Sequence, residues 1–451
     1  MIIKMDDYLP QINNPASDKL ERLSALGAYA GKMKIAPASI ETNNHIHTIY
    51  SFSPYSPSMA ALLAKEASLA AAGSVDHDSI AGAEEMLEAC KILGIAGCVG
   101  FEVRVSFKID SYGKKSPFAD RKINSADFEG YAYITVQGIP HQNIARAAEF
   151  LKPLRELRMK RSKAMTVSAN ILLKDAGYEE MDFDKDIVDY SKYKEGGGIT
   201  ERHILAAMSE KIIKKHGKGP AIYETLKSKF GLKISPKIKA YLDDTHNKHY
   251  LYDLLGVLKS EFLPGIYILP DENECIPVQK VTEFANSINA IPFYPYLGDV
   301  KESPTGDKKE EKFEDEYIEE LFNELSPLGF KAVTYMPPRN TAEQLKTIRE
   351  LSSRHGLMEI SGVDINSSRQ SFNCPEVLHK DFQHLIDTSW ALIAHEQLAT
   401  INEKLGLFST GNPLANMELN ERIKTYSVYG RKLDLYNPGE SAEEIAKIIM
   451  E

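Results

Sequence analysis

The spacing of apolar positions changes rhythm several times along the chain, and the first regular stretch begins at Thr42. A short polar strand ending in NNHIHT leads to a helical pattern through SMAALLAKEASLAAAG. A strand carrying SVDHD, a helix over AGAEEMLEACKILG and a longer strand, AGCVGFEVRVSF, follow. Strands alternating with amphipathic helices predict parallel pairing, and in closed parallel sheets the chemistry collects at the carboxyl ends. Between about His141 and Leu263 a helical period takes over (IARAAEFLKPLRELRMKRSKAMTVSANILLKDAG, then HILAAMSEKIIKKHG), which predicts a helical insertion. Within it, RELRMKRSK reads as the solvated basic face of a helix. The alternation returns with GIYILP, VQKVTEFANSIN, AIPFYPY, KAVTYMP, TAEQLKTIRELSSRHG and LMEISGVDINSSRQSF. The charge-dense segment 301–320 reads as an exposed loop entering a helix. Ahead of Thr42, DKLERLSALGAYAG has helical spacing and runs into a Pro-Ala-Ser stretch. The expected organisation is an N-terminal extension over residues 1–40, the first part of a barrel over 41–140, the helical insertion over 141–263, and the rest of the barrel with C-terminal helices over 264–451.

Composition narrows the class. With 451 residues, 43% hydrophobic and 26% charged, the chain has the balance of a folded, water-soluble protein with a sizeable core. Its formal net charge of −10 argues against strong nucleic-acid binding, so any phosphate-bearing ligand has to be gripped locally. No run approaches the roughly 20 apolar residues that cross a bilayer, and MIIKMDDYLPQ carries no leader pattern, so a cytoplasmic protein with no membrane partner is expected. Four cysteines (Cys90, Cys98, Cys275, Cys374) are scattered and form no Cys-x-x-Cys pair, which predicts buried, reduced thiols. No Gly-x-Ser-x-Gly elbow or Walker loop is present, which argues against serine-hydrolase and P-loop chemistry. Oligomeric state leaves no signal.

The candidate chemistry lies at the strand ends. His45 and His47 straddle one residue, and the two-residue period of a strand turns both imidazoles to one side as a chelating pair. The second strand ends in Asp76-His77-Asp78, the third presents Glu102, and the last carries Asp364 in GVDIN. Four successive deliveries of imidazole or carboxylate are hard to explain as packing. His246 and His249, in DDTHNKHY, lie outside every barrel motif and read as an exposed helix end.

HIHTIYS, VDHDSIAGAEEMLEACKILGI and VGFEVRVSF resemble, in order and spacing, the first three motifs of the polymerase-and-histidinol-phosphatase (PHP) superfamily of phosphoesterases, most strongly over residues 43–107. ERHILAAM is similar to an internal Arg-x-His motif of that superfamily, and HGLMEISGVDIN to its closing segment. The resemblance implies an α/β fold, a distorted seven-stranded (β/α) TIM-like barrel with a helical insertion, and a divalent metal cluster (Mn, Zn or Fe) of up to three ions. It places His45, His47, Glu102 and Asp364 at the first, secure position. The third position would draw on Phe52, His77 and Asn366, of which a phenyl ring cannot coordinate and an amide oxygen is a weak neutral ligand. The second would use Tyr133 and Tyr294, phenols that must lose a proton with a reference pKa near ~10 before they bind well.

The implied activity is hydrolysis of a phosphate ester, monoester or diester, by a metal-activated water, on a small phosphorylated substrate with nucleotides among the candidates. Arg202, His203 and Arg369 would clamp the phosphate, and Asp76 would orient an imidazole from outside the ligand shell. Two alternatives stay open. The substituted positions suit a non-catalytic binding or regulatory module, and a related barrel chemistry would be that of an amidohydrolase.

Overall fold

The computed structural model describes residues 7–33, 39–125, 128–232, 234–300 and 312–451. Seven strands cross one curled mixed sheet in chain order: β1 (Thr42–Ile46), β2 (Ala71–His77), β3 (Ala96–Ser106), β4 (Tyr131–Gln137), β5 (Ile291–Pro295), β6 (Ala332–Thr334) and β7 (Met358–Ile360). β1, β2 and β3 are parallel, as are β5, β6 and β7, but β4 runs antiparallel to both its neighbours. This corrects the expectation of an all-parallel sheet. No helix is described between β3 and β4, so the chain lacks the crossover that a parallel return needs and pairs back as a long-looped hairpin.

The expected distorted TIM-like barrel is met in part, because the seven strands curl into a half-barrel whose sheet stays open. β7 does not pair with β1; instead a single bridge joins Ile46 to Ile365, beyond the end of β7. Two backbone hydrogen bonds make it, His47 N–H to Ile365 O at 2.9 Å and Ile365 N–H to His45 O at 3.1 Å.

Local chemistry explains the early elements. The helix Pro57–Glu66 starts on Ser56, whose hydroxyl accepts from Met59 N–H, with Pro57 in the first turn. It stops well short of LAAAG, which the sequence pattern had assigned to it. Ser68 adopts a left-handed conformation, and Ala71–Ser74 enter the sheet beside Ala96–Val99. The small residues serve close packing there: a side chain at Gly73 would meet Cys98 Sγ at 2.5 Å and Asn44 Cα at 3.0 Å. The next helix, Ala83–Leu93, ends on Gly94 in the left-handed region.

Between β4 and β5 no strand occurs among the described residues. A 32-residue helix, Ile144–Asp175, and four further helices of eight residues or more between Glu201 and Glu261 occupy most of that stretch. They enclose their own apolar cluster, including Met165, Leu205, Met208 and Leu254, apart from the core around the sheet. RELRMKRSK is not a solvated face, because Arg158 and Arg161 are buried in ion pairs with Asp78, Glu201 and Glu274. GIYILP forms no strand, only the short turn of helix Leu263–Ile266 and irregular chain. Most of the charged segment 301–320 lies outside the described residues, and its end enters the helix Ile318–Leu325. All four cysteines are buried and free. Among the described residues no helix is long and apolar enough to cross a membrane.

Candidate metal centre

Register decides which side chains share the interior of the curled sheet, because paired residues project to the same face. His77 pairs with Glu102, Glu102 with Thr135, and Thr135 with Phe293. Arg104 pairs with Tyr133 on that same face. Asn44 reaches the interior too, donating to Gln137 Oε1 at 2.6 Å. Beyond β4 the inner positions are Phe293, Pro295, Ala332, Thr334, Met358 and Ile360, none of which is a ligand of first choice. One half of the interior is polar and the other nearly apolar.

At the carboxyl end of the polar half, five side chains converge. His45, His47 and Asp364 offer ligand atoms within 4.8 Å of one another, and so do His47, His77 and Glu102. His47 is common to both groups. Its Nε2 lies 3.2 Å from Asp364 Oδ1 and 3.7 Å from Glu102 Oε2, and His77 Nδ1 lies 2.8 Å from Glu102 Oε2. The two histidines of β1 converge although the pairing of β1 with β2 slips between Asn43 and Ile46, so simple alternation is not what aligns them. His47 stands just past the strand, and the Ile46–Ile365 bridge brings Asp364 beside it. His77 thus lies in the same cluster as Glu102.

Electrostatics sharpen the picture. Burial holds His45 below its ordinary value, against the pull of Glu102 and Asp364, so its ring is neutral. Partial burial would raise the Asp364 carboxyl, but the neighbouring imidazoles of His47, His45 and His77 hold it far below the usual carboxylate range. Glu102 is likewise held down by His77, again against burial. Three imidazole nitrogens (His45 Nε2, His47 Nε2, His77 Nδ1) are buried and make no well-formed hydrogen bond, despite the nearby carboxylates. Buried polar atoms without partners are rare in folded proteins. Three of them in one volume with two carboxylates fit a divalent cation, for which neutral imidazole and carboxylate are natural ligands. Asp364, 40% exposed in its side chain, leaves the centre open on one side.

Asp76 alternates with His77 and so faces away from the cluster. Its carboxylate accepts from Thr48 N–H (2.7 Å), Thr48 Oγ1 (2.6 Å) and Ser51 Oγ (2.5 Å). Because Ser51 spends its proton on Asp76, its oxygen can only accept from His47 Nδ1, 3.3 Å away. The proton on Nδ1 leaves the Nε2 lone pair for the cluster. Asp76 therefore orients an imidazole through Ser51, a relay that sequence reasoning missed.

Several expected site residues have other partners. Tyr294 is corrected outright: Phe293 takes the inner position, so Tyr294 faces the opposite way, fully buried, and donates to Glu314 Oε1 at 3.1 Å. His203 Nδ1 accepts from Thr200 N–H at 3.0 Å in a capping box that starts the helix Glu201–His216. Burial and the nearby Arg158 push His203 down to about 3, so it is a neutral cap residue and not a charged phosphate clamp. Arg369 forms a two-armed pair with Asp253 (2.7 and 2.8 Å) and stacks on Tyr241, which ties its loop to the insertion. Asn366 turns its amide nitrogen to Asp364 Oδ1 at 2.8 Å, so it donates instead of coordinating. Tyr133 does face inward, but its oxygen accepts from Arg104. Phe52 packs its ring against His203 at the rim. Arg202 is half-buried near Asp364, donates to Asn366 O at 3.0 Å and keeps its buried Nε without a partner. In DDTHNKHY, His246 is exposed, while His249 is held by Ser368 Oγ at 2.8 Å.

The arrangement is a candidate cation site at the carboxyl end of a curled mixed sheet. No family model and no curated protein matches the chain. Among solved structures, one similar chain is an amidohydrolase from Chromobacterium violaceum with bound sulfate and no metal. It is 17% identical, with 73% of this chain and 89% of that one covered and a TM-score of 0.48. A second, from Bifidobacterium adolescentis and assigned as a metal-dependent phosphoesterase, is also 17% identical, with 76% and 93% covered and a TM-score of 0.47. Neither likeness assigns a family to this chain.

Proposed function

We propose that this protein is a metal-dependent hydrolase of phosphate esters. The observation that carries the reading is the set of three buried imidazole nitrogens without hydrogen-bond partners, sharing one volume with the carboxylates of Glu102 and Asp364. His45, His47, His77, Glu102 and Asp364 are the residues that would hold the ion. A bound divalent cation supplies Lewis acidity toward a phosphoryl oxygen and toward water. The rest is the work of the chain. Asp76 and Ser51 keep the His47 proton on Nδ1. Arg202, half-buried with a buried, free Nε–H, offers a fixed cation to the charge that develops on the phosphate. The exposed edge of Asp364 is the side from which a small phosphorylated molecule, nucleotide or otherwise, reaches the centre.

The test combines elemental analysis of the purified chain with a screen of phosphate monoesters and diesters in added Mn²⁺, Zn²⁺ or Fe²⁺. Ester hydrolysis that disappears in His45→Ala is the expected result. An ion bound with no turnover on any ester would overturn hydrolysis in favour of a binding module. Turnover confined to amide or cyclic-amide substrates would move the reading to an amidohydrolase.

A further inference from the structure

Directly after His77 the chain makes a tight turn that is held both from the sheet and from the helical insertion. Asp76 and Ser79 bridge, Asp78 N–H donates to Glu102 O at 2.8 Å, and Asp78 itself has a left-handed backbone with φ of 52°. That conformation is uncommon for a non-glycine residue and persists where surrounding contacts impose it. The Asp78 carboxylate takes the Nη1 of Arg158, which projects from the helix Ile144–Asp175. Ser79 Oγ donates to Gly196 O at 2.8 Å, and Gly198 N–H donates to Tyr50 O at 2.7 Å. A side chain at Gly198 would come within 3.0 Å of His77 O, so the Gly196–Gly198 run lies hard against the backbone that carries the imidazole. The second arm of Arg158 holds Glu201 Oε2 at 3.0 Å, and Glu201 is shared with Arg161, which also grips Glu274. All of these charged groups are buried.

We infer that Arg158 is a positioning residue for the metal centre: through Asp78 it fixes the turn that presents His77, so the helical insertion is part of the scaffold of the ion site. The inference rests on the reading of the centre as a metal site. It has a specific geometric content, because Arg158 touches Asp78 whereas Arg161, one turn further along the same helix and in the same network, does not. Loss of an outer partner of a metal ligand typically lowers metal affinity about 10–100-fold.

The experiment titrates Co²⁺ into the full chain, following heat and the visible absorption of the bound ion. Arg158→Met is expected to weaken binding about 10–100-fold and to change the spectrum, Arg158→Lys to restore part of both, and Arg161→Met to stay within about threefold of the parent chain. Because removal of one partner leaves a buried carboxylate unpaired, the paired variant Asp78→Asn/Arg158→Met is measured as well. It is expected to recover thermal stability while retaining the weakened binding and altered spectrum. Unchanged affinity and spectrum in Arg158→Met overturn the inference, as does a loss in Arg161→Met equal to that in Arg158→Met. A parent chain that binds no Co²⁺, Mn²⁺ or Zn²⁺ fails at the earlier step and overturns the metal reading itself.

Discussion

The relay through Asp76 can be tested quantitatively. Asp76→Ala removes the acceptor of three short hydrogen bonds in a buried setting, from Thr48 N–H, Thr48 Oγ1 and Ser51 Oγ. The two hydroxyls can rotate toward other acceptors, but the Thr48 amide cannot. A buried donor left unsatisfied costs about 1–3 kcal/mol, and a hydrogen bond to a charged acceptor contributes about 1.5–3 kcal/mol, so a loss of roughly 4 kcal/mol of folding stability is expected. The consequence for the ion is separate. Released from Asp76, Ser51 can donate to His47 Nδ1, which favours the tautomer with its proton on Nε2 and withdraws a lone pair from the centre. An affinity loss of about 10–100-fold, or about 1.4–2.7 kcal/mol, follows from an outer-shell change of this kind. Urea denaturation of the metal-free chain reads the first effect, and calorimetric titration with Zn²⁺ or Mn²⁺ reads the second. Asp76→Asn, which keeps one acceptor oxygen, should fall between Ala and the parent in both. Parental ion affinity in Asp76→Ala would refute the relay, even if the urea midpoint moved.

His47→Ala should abolish ion binding in the same titration, whereas His45→Ala and His77→Ala should each weaken it, because only His47 is common to both ligand groups; equal losses in all three would contradict this geometry. Tyr294→Phe should leave ester hydrolysis within about twofold of the parent and cost about 1 kcal/mol of stability, since it breaks one hydrogen bond on the face turned away from the centre; a large fall in turnover would mean that the hydroxyl reaches the substrate. Glu314 is fully buried, its Oε2 has no partner, and burial pushes its carboxyl up to about 7. A raised carboxyl binds its proton more tightly when folded, so its stabilisation is complete below the unfolded value near ~4.3 and is lost as pH rises through 7, by roughly 4 kcal/mol. Urea midpoints compared between pH 5 and pH 8.5 should fall in the parent and stay flatter in Glu314→Gln; identical slopes would count against the assignment.

The first half of the sheet was legible because its signals are local. The strand ends carry their polar residues on the strand itself, and the helix Ala83–Leu93 announces its stop at Gly94. Signals that depend on a distant partner were not legible. Arg369 reads as a candidate clamp until Asp253, 116 residues away, is seen to hold it. Arg158 and Arg161 read as a solvated basic face because Asp78, Glu201 and Glu274 come from three other segments. Thr200-x-x-His203 carries a capping pattern, and the structure shows that capping box formed. The Gly196–Gly198 triplet inside a helical stretch is the sequence signal for close backbone contact with the site.

Tyr294 shows the deeper limit. Which of Phe293 and Tyr294 faces the interior is a question of parity, and a shift of one residue in pairing reverses the answer for a whole strand. That parity is transmitted from Glu102 through Thr135 of β4 to Phe293, so it depends on the direction and register of a strand whose antiparallel course nothing in the βα rhythm announces. Asp364 was spared this ambiguity. Its position is set by two backbone hydrogen bonds between Ile365 and the β1 end, adjacent to the histidines it joins. The candidate centre is therefore built at the seam where the open sheet comes back on itself, with His45, His47 and Asp364 beside that seam, His77 at the end of β2 and Glu102 within β3 opposite it. On the β5–β7 side, where parity had to be carried through β4, the inner positions are Phe293, Pro295, Ala332, Thr334, Met358 and Ile360. An ion held by this chain is gripped from the β1–β3 side and by Asp364, and the facing wall contributes shape and dryness in place of ligands.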